Sequence, residues 1–471
     1  MKSRLFFLGA SLSEAALPFV RNLCLAHSLS PSHFGIAVLI ASTWSLSEVC
    51  LDFGLDRFVM RHPTVDADPQ SIATLQTLQL VRALAVGSVI ALNAYVFTDL
   101  LEAPELFVPL LVVSASTVVR GFANLRAQSV AKDGNFFPHA SMILFGQVSW
   151  TITTVVLAAL ISSPIAMAWG IAAANVAATI VSHLTARGRW RLGWSTKMAR
   201  EAVHFGLPLV PNGMAAAVFH MADRMLVAAL LGVAAAGYYT ILITVAFLLE
   251  TALLKYLASM FLPLFANPER SLWRREELNR LWLTLVTGLT FAYSVGVITV
   301  AVPLIPFVFG QNYRADASYA ALLGVAAFAR GMHTVGVPVT MARGRTIYSF
   351  YVNFGLACSV GSGVVGALIG GDVMSFLLGL FFGELVVAVL ILAGLPAILD
   401  LPAPLIARTI GIPYAALGVI AIAALSWEGL PFYSLAACVA ALVLADLFLR
   451  VAPQIGRDYI NALRRPHAEP H

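Results

Sequence analysis

An all-α, polytopic transmembrane bundle of about fourteen helices is the fold class this sequence predicts. Three observations carry it. Hydrophobic residues make up 59% of the 471 residues and charged residues 11%, whereas a soluble domain has about 25% charged residues. Mean hydropathy is +0.85. The apolar runs are continuous over about 20 residues, which is helical membrane-spanning sequence and not the alternation of barrel strands. In hydrocarbon the backbone must satisfy its own hydrogen bonds, so such runs fold as helices.

In chain order the spans fall near 5–28, 33–55, 75–98, 105–127, 137–161, 165–186, 204–230, 233–262, 281–308, 317–340, 347–370, 373–397, 409–426 and 429–450. The first is a span and not a cleaved signal peptide, because Glu14 and Arg21 interrupt it and a second span follows at once. They group as an N-lobe of six helices over 1–202, a C-lobe of six over 203–400, two further helices over 401–450, and a cytoplasmic tail over 451–471. Of the 29 Lys and Arg, Arg314 is the one in an outer loop, and Arg21, Arg82, Arg120, Arg224, Lys255 and Arg330 fall inside spans. The rest lie on segments that are cytoplasmic if the N-terminus is inside. The positive-inside bias therefore puts both termini in the cytoplasm.

Composition and loops exclude several classes. The net charge of +5 is this charge bias against anionic lipid heads, with no basic arm or aromatic platform for nucleic acid. The four Cys lie within apolar spans and the ten His are scattered, so no metal and no cofactor is expected. The outer loops are short, and the cytoplasmic ones reach only about 18 residues without a phosphate-cradling Gly loop, which excludes an ATPase within this chain. Asp99, Glu102 and Glu105 form an isolated outer acidic patch, read as a solvated cap and not as an enzyme site.

The two lobes read as parallel copies. Leu29–Gly35 matches Leu231–Gly237 at an offset of 202, which also superposes Glu48 on Glu250 and Arg21 on Asp223. At an offset of 210, Arg120-Gly121 falls on Arg330-Gly331, and Gly134 on Gly344. Copies related by an axis along the membrane normal leave a cleft between them.

Charges inside spans cost at least about 2.5–3.5 kcal/mol each on insertion scales, so they mark a water-filled cavity. Arg21, Arg82, Arg120 and Arg330 have no acid at i±3 or i±4 and are the anion-binding candidates, with Arg224 and Lys255 as further cationic positions. The planar guanidinium fork suits phosphate oxygens. Glu48 and Glu250 are the candidate proton carriers. Arg21 and Asp223, equivalent in the repeat, are expected to face each other as a gating pair. Pro208 and Pro211, among the residues 205–213, are expected to kink or loosen the seventh helix.

LSPSHFG at 29–35, DFGL at 52–55 and Arg61 resemble the opening hairpin of the polysaccharide transporter family. That family includes the O-antigen flippases and belongs to the multidrug/oligosaccharidyl-lipid/polysaccharide exporter superfamily. Asp223-Arg224, Leu231-Gly232 and Gly237-Tyr238-Tyr239 are similar to its helix 7–8 signature; FGQNY at 309–313 and GRT at 344–346 sit where it has comparable motifs. One departure is the stretch Ala131-Lys132-Asp133-Gly134-Asn135-Phe136, where members often carry Arg before Phe. The resemblance implies a two-lobed bundle in a bacterial plasma membrane that is not an enzyme. It would move an undecaprenyl-pyrophosphate-linked oligosaccharide to the outer leaflet by alternating access. The partners it implies are that saccharide, membrane lipids, and a polysaccharide polymerase with export proteins. The competing readings are a drug/cation antiporter of the same superfamily and a membrane polysaccharide polymerase or ligase.

Overall fold

The computed structural model describes residues 2–62, 68–130, 135–186, 188–249, 253–266, 272–345, 347–427 and 429–463. Among them there is no strand. The first lobe's spans are α1 (Lys2–Ser28), α2 (Pro31–Cys50), α4 (Pro69–Leu100), α5 (Phe107–Arg120) continued by α6 (Arg126–Ser129), α7 (Phe137–Ile161) and α8 (Ile165–Thr185). A short α3 (Leu55–Arg61) and α9 (Thr196–Gly206) lie outside these spans. Then follow α10 (Leu209–Ala217), α11 (Asp223–Leu231), α12 (Val233–Leu249), α13 (Lys255–Phe265) and α14 (Leu272–Phe309). The remainder are α15 (Ala317–His333), α16 (Val337–Ala342), α17 (Ile347–Gly370), α18 (Val373–Leu399), α19 (Ala403–Ser426) and α20 (Leu430–Leu463). Each expected span has a helical counterpart, and 10 helical segments among the described residues are long and apolar enough to cross a membrane. The chain is a multi-pass membrane protein.

Helix starts follow from local chemistry. Ser30 caps α2 by accepting from the His33 N–H at 3.3 Å, with Pro31 at the first position, where a missing N–H is harmless. Asp68 caps α4 through Gln70 and Ser71, again before a Pro. Asp316 does the same for α15. The fourth span breaks at Gly121–Leu125, where buried Asn124 replaces the lost helical bonds. Its amide donates to Gly188 O, and its side-chain oxygen accepts from Gln76 and from the Arg126 N–H. Its backbone N–H donates to Ser182 Oγ at 2.8 Å. Asn124→Ala should lower stability by roughly 1–3 kcal/mol, because it leaves buried partners unpaired; an unchanged melting midpoint in detergent would contradict this.

The connector after α8 is a structured strap. Gln70, Thr74, Gln76 and Thr77 of α4 bond the backbone of Trp194, Ser195, Arg191 and Gly193. It leads into amphipathic α9, whose Met198 and Ala202 bury against Leu55, Phe58, Val59, Ile72, Leu75 and Leu125.

The internal repeat is visible as repeated helix contacts. A Cβ on Gly121 of the α5 end would sit 2.6 Å from Ala83 of α4, and one on Gly331 of α15 would overlap Thr290 of α14. Gly87 approaches Ser114 O as Gly324 approaches Ser294 O. Gly146 faces Ala178 as Gly355 faces Val387, fixing an offset of 209 between α7–α8 and α17–α18. Both Arg-Gly pairs end a helix: α5 stops at Arg120 and α15 at His333, before α16 resumes. A transmembrane helix interrupted at the same place in both copies is a feature that binding sites in transporters exploit.

Two compact units divide the chain: 1–241 with 308–313 and 356–380, and 242–307 with 314–355 and 381–471. The expected lobe boundary at 202/203 falls inside the first unit, because α10, the turn after it and α11 pack on α2. The first turns of α2 and α12 meet in this unit. A Cβ on Gly35 would overlap Val233 O, and one on Gly237 would lie 2.9 Å from Pro31 O. At offset 202 Pro31 is equivalent to Val233 and Gly35 to Gly237. The contact is therefore reciprocal, the mark of a local twofold. Tyr313 of the FGQNY stretch meets Phe34 edge-on in the same unit, with centroids 6.0 Å apart. In the second unit α19 packs on α15, and Trp282 Nε1 donates to Val335 O at 2.9 Å in the break between α15 and α16.

Candidate functional site

The first unit holds a cavity of about 380 Å³ whose walls come from α1 to α8 and the 121–125 break. Its charged lining is Glu14, Glu48, Asp52, Asp56, Arg82 and Arg120; its polar lining includes Gln79, Asn124, Gln128, Gln147 and Asn175, with Trp44 and Trp150. Of the charges expected inside spans, Glu14, Glu48, Arg82 and Arg120 share this cavity.

Arg82 is clamped to the end of α2. Its Nη2 donates to Glu48 Oε2 at 2.6 Å and to Glu48 O at 2.8 Å, and its Nε donates to Leu51 O at 2.7 Å. The guanidinium thus caps the last carbonyls of α2, where a helix dipole favours positive charge. Arg82 and Glu48 each keep about a fifth of their side-chain surface exposed, 22% and 21%, so the pair is reachable from the cavity. Asp52 is engaged by the Gly54 N–H at 2.9 Å. Asp56 lies in the first turn of α3, where its charge suits the helix N-terminus.

Arg120 differs. It ends α5 and lines the cavity, in the field of Asp56, Glu48 and Arg82. Its guanidinium makes no ion pair among the described residues, and its buried Nη1 has no hydrogen-bond partner. Arg21 is 4% exposed and lies over Trp150 with its Cζ 3.7 Å from the ring centroid. Neither its Nε nor its Nη1 finds an acceptor. Trp150 in turn meets Trp44 edge-on at 5.1 Å. Two guanidiniums with open donors therefore adjoin one cavity: Arg120 directly and Arg21 through the tryptophan pair.

The other sequence candidates lie elsewhere. Asp223, buried, accepts from Tyr239 Oη at 2.8 Å and from the Arg224 N–H at 2.8 Å, and Arg224 Nη1 lies 3.4 Å from it. The expected Arg21–Asp223 pair is not formed here: Tyr239 and Arg224 occupy the carboxylate, and the Trp150 face holds the guanidinium. Arg330, in the second unit, lies over Phe247 at 3.4 Å and is ion-paired to Glu384 of α18. Absence of an acid at helical spacing therefore did not mean absence of a partner for Arg82 or Arg330, whose carboxylates come from other helices. Lys255 is exposed at the start of α13 and pairs with no described carboxylate. Glu250 lies outside the described residues.

Pro208 and Pro211 do not kink a continuous helix. α9 ends at Gly206, Pro208 precedes α10, and Pro211 sits in its first turn, where Pro costs no helical bond. The irregularity of this span comes later, as a π-helical turn over Val218–Ala222 that delivers Asp223 at the start of α11. Sequence reasoning passed over Trp44, Trp150, Gln79, Asn124, Gln147 and Asn175, which are uncharged and gave no signal. Glu14 was noted only as an interruption of the first span.

Residues 24–318, more than half of the chain, match the family described as polysaccharide biosynthesis protein. The chain belongs to that family. Its fold is that of the transporters of the multidrug/oligosaccharidyl-lipid/polysaccharide exporter superfamily. A lipid II flippase, MurJ, in an inward closed conformation superposes with TM-score 0.65 at 13% identity, covering 97% of this chain and 100% of that one. An inward-facing multidrug resistance MATE transporter gives 0.61 at 12% identity, covering 82% and 96%. A Vibrio cholerae MATE transporter gives 0.51 at 15% identity, covering 85% and 97%. No curated protein sequence matches the chain. In this family member the two arginine-bearing breaks and the N-terminal cavity rest on a fold shared with those transporters.

Proposed function

We propose that this protein is a flippase that carries an undecaprenyl-pyrophosphate-linked oligosaccharide from the inner to the outer leaflet of a bacterial plasma membrane. The product would serve O-antigen or exopolysaccharide assembly, upstream of a polymerase and export proteins. Both termini would lie in the cytoplasm, as the Lys/Arg bias requires. The observation that carries this reading is a membrane-embedded cavity with Arg82 and Arg120 in its wall, in a chain of the polysaccharide biosynthesis family. Of the cavity's guanidiniums, Arg120 has open donors and Arg82 is held by a partly exposed carboxylate.

The exchange suggests a coupling step. A pyrophosphate oxygen can compete with Glu48 for Arg82, since both are bidentate acceptors. Glu48, once displaced from the guanidinium, would be the candidate proton carrier on the cavity wall. Substrate entry and proton uptake would then be linked through one guanidinium. Glu250, at the repeat-equivalent position, is the second candidate for that role.

Four carboxylates line the same cavity, Glu14, Glu48, Asp52 and Asp56, and this favours a second reading, a drug/cation antiporter. Asp52 and Asp56 are accounted for by the local backbone, and Glu48 by Arg82, so the first reading stands ahead. Deleting the gene should leave lipid-linked saccharide accumulated on the inner leaflet, with unchanged resistance to organic cations. Normal export together with lost drug resistance would favour the antiporter.

A further inference from the structure

The two halves treat the same arginine oppositely. Arg120 and Arg330 are equivalent, each followed by Gly and each in the last turn of an interrupted helix. The contacts Gly146–Ala178 and Gly355–Val387 align α8 with α18 at offset 209, which places Asn175 on Glu384. In the second half Glu384, 1% exposed, reaches Arg330 and neutralises it. In the first half Asn175, 4% exposed, donates instead to Ser116 Oγ at 3.2 Å, one helical turn before Arg120. The residue equivalent to Ser116 in the second half is Ala326, which offers Glu384 nothing to bond, so its carboxylate continues to the guanidinium.

We propose that the amide at Asn175, where the repeat has a carboxylate, makes Arg120 the single phosphate-oxygen receptor of the repeat-related arginines and a specificity-determining feature of the cavity. Resting on the flippase reading for the identity of the anion, this assigns Glu384 the opposite task. It fills the anion position of Arg330 from within the chain, so that the second half offers no competing site. The physical basis is simple. A buried guanidinium requires an oxyanion, and the requirement is met internally in one copy and left for a ligand in the other. Arg120, with its Nη1 unpartnered, shares the cavity wall with the neutral polar groups of Asn175, Gln79 and Gln147. Such groups can hydrogen-bond sugar or phosphate oxygens without repelling them.

The test compares Asn175→Glu with Asn175→Gln in the purified full-length protein, with inorganic pyrophosphate as the probe in titration calorimetry. The two replacements have the same volume and differ in charge. Asn175→Glu should weaken pyrophosphate binding at least about tenfold, and Asn175→Gln should leave it within about twofold. Equal affinities in both variants, or an equal loss in both, would overturn the proposal, as would a wild-type protein that binds no pyrophosphate at millimolar concentration. Should Asn175→Glu fail to fold, Arg120→Gln decides: it should lose the binding, and retention of wild-type affinity overturns the assignment. Glu384→Gln should add a second binding event at Arg330, and an unchanged stoichiometry in a folded variant counts against it. The flippase reading fails differently. Saccharide would reach the outer leaflet normally in a deletion strain while the pyrophosphate titrations still behave as described.

Discussion

Arg120→Gln should cut polysaccharide export by more than about tenfold while the protein reaches the membrane in normal amount. The side chain makes no ion pair among the described residues, so its removal leaves no stranded carboxylate behind. The loss should therefore fall on transport and not on folding. Arg82 requires a different experiment. Removing it alone leaves Glu48 facing the cavity unpaired, a one-sided break of a charge pair that costs roughly 3–5 kcal/mol where the pair is buried and less where, as here, about a fifth of each side chain is exposed. The double variant Arg82→Gln/Glu48→Gln removes both charges and keeps polar groups near the α2 carbonyls. It should restore protein level relative to Arg82→Gln, yet remain defective in transport. Wild-type export from Arg120→Gln and from the double variant would remove the guanidiniums from the mechanism.

Gly35→Val should open the contact between the first turns of α2 and α12. A Cβ at Gly35 meets a backbone carbonyl, Val233 O, which cannot rotate away as a side chain can, and Gly237 meets Pro31 O in the same way. Overpacking of this kind costs about 1–3 kcal/mol, which moves a two-state equilibrium by roughly fivefold to 150-fold. In the orientation proposed above, with both termini cytoplasmic, these turns lie at the outer face. Separating them should raise labelling of a cysteine introduced at Ser32 by an impermeant maleimide, and should lower the export rate. Gly237→Val should do the same, because the contact is reciprocal. Unchanged labelling in both variants would show that this contact is not a gate.

Much of this was legible in the chain. Continuous apolar runs located the spans because hydrocarbon leaves the backbone no alternative, and α7 and α17 coincide with their expected limits. The repeat was legible through Gly35/Gly237 and Arg120-Gly121/Arg330-Gly331, since close helix approach forbids a Cβ and so preserves Gly. The partners of the buried charges were not. Glu48 finds Arg82 and Glu384 finds Arg330 across separate helices, and helical periodicity reports only neighbours on one helix. The prolines at 208 and 211 signalled irregularity, but a helix start and a kink share that signature. Asn175 and Trp150 carry no charge and repeat no motif, so their place in the cavity follows only from how α7 and α8 pack.

The purified protein can be placed in liposomes carrying an undecaprenyl-pyrophosphate-linked oligosaccharide in both leaflets, and its flipping read by enzymatic accessibility. A glycosidase added outside first consumes the outer-leaflet saccharide. With wild-type protein the remaining saccharide should then become accessible, and with Arg120→Gln about half should stay protected, as in protein-free vesicles. Protection that persists with wild-type protein, with and without an imposed proton gradient, would contradict the account.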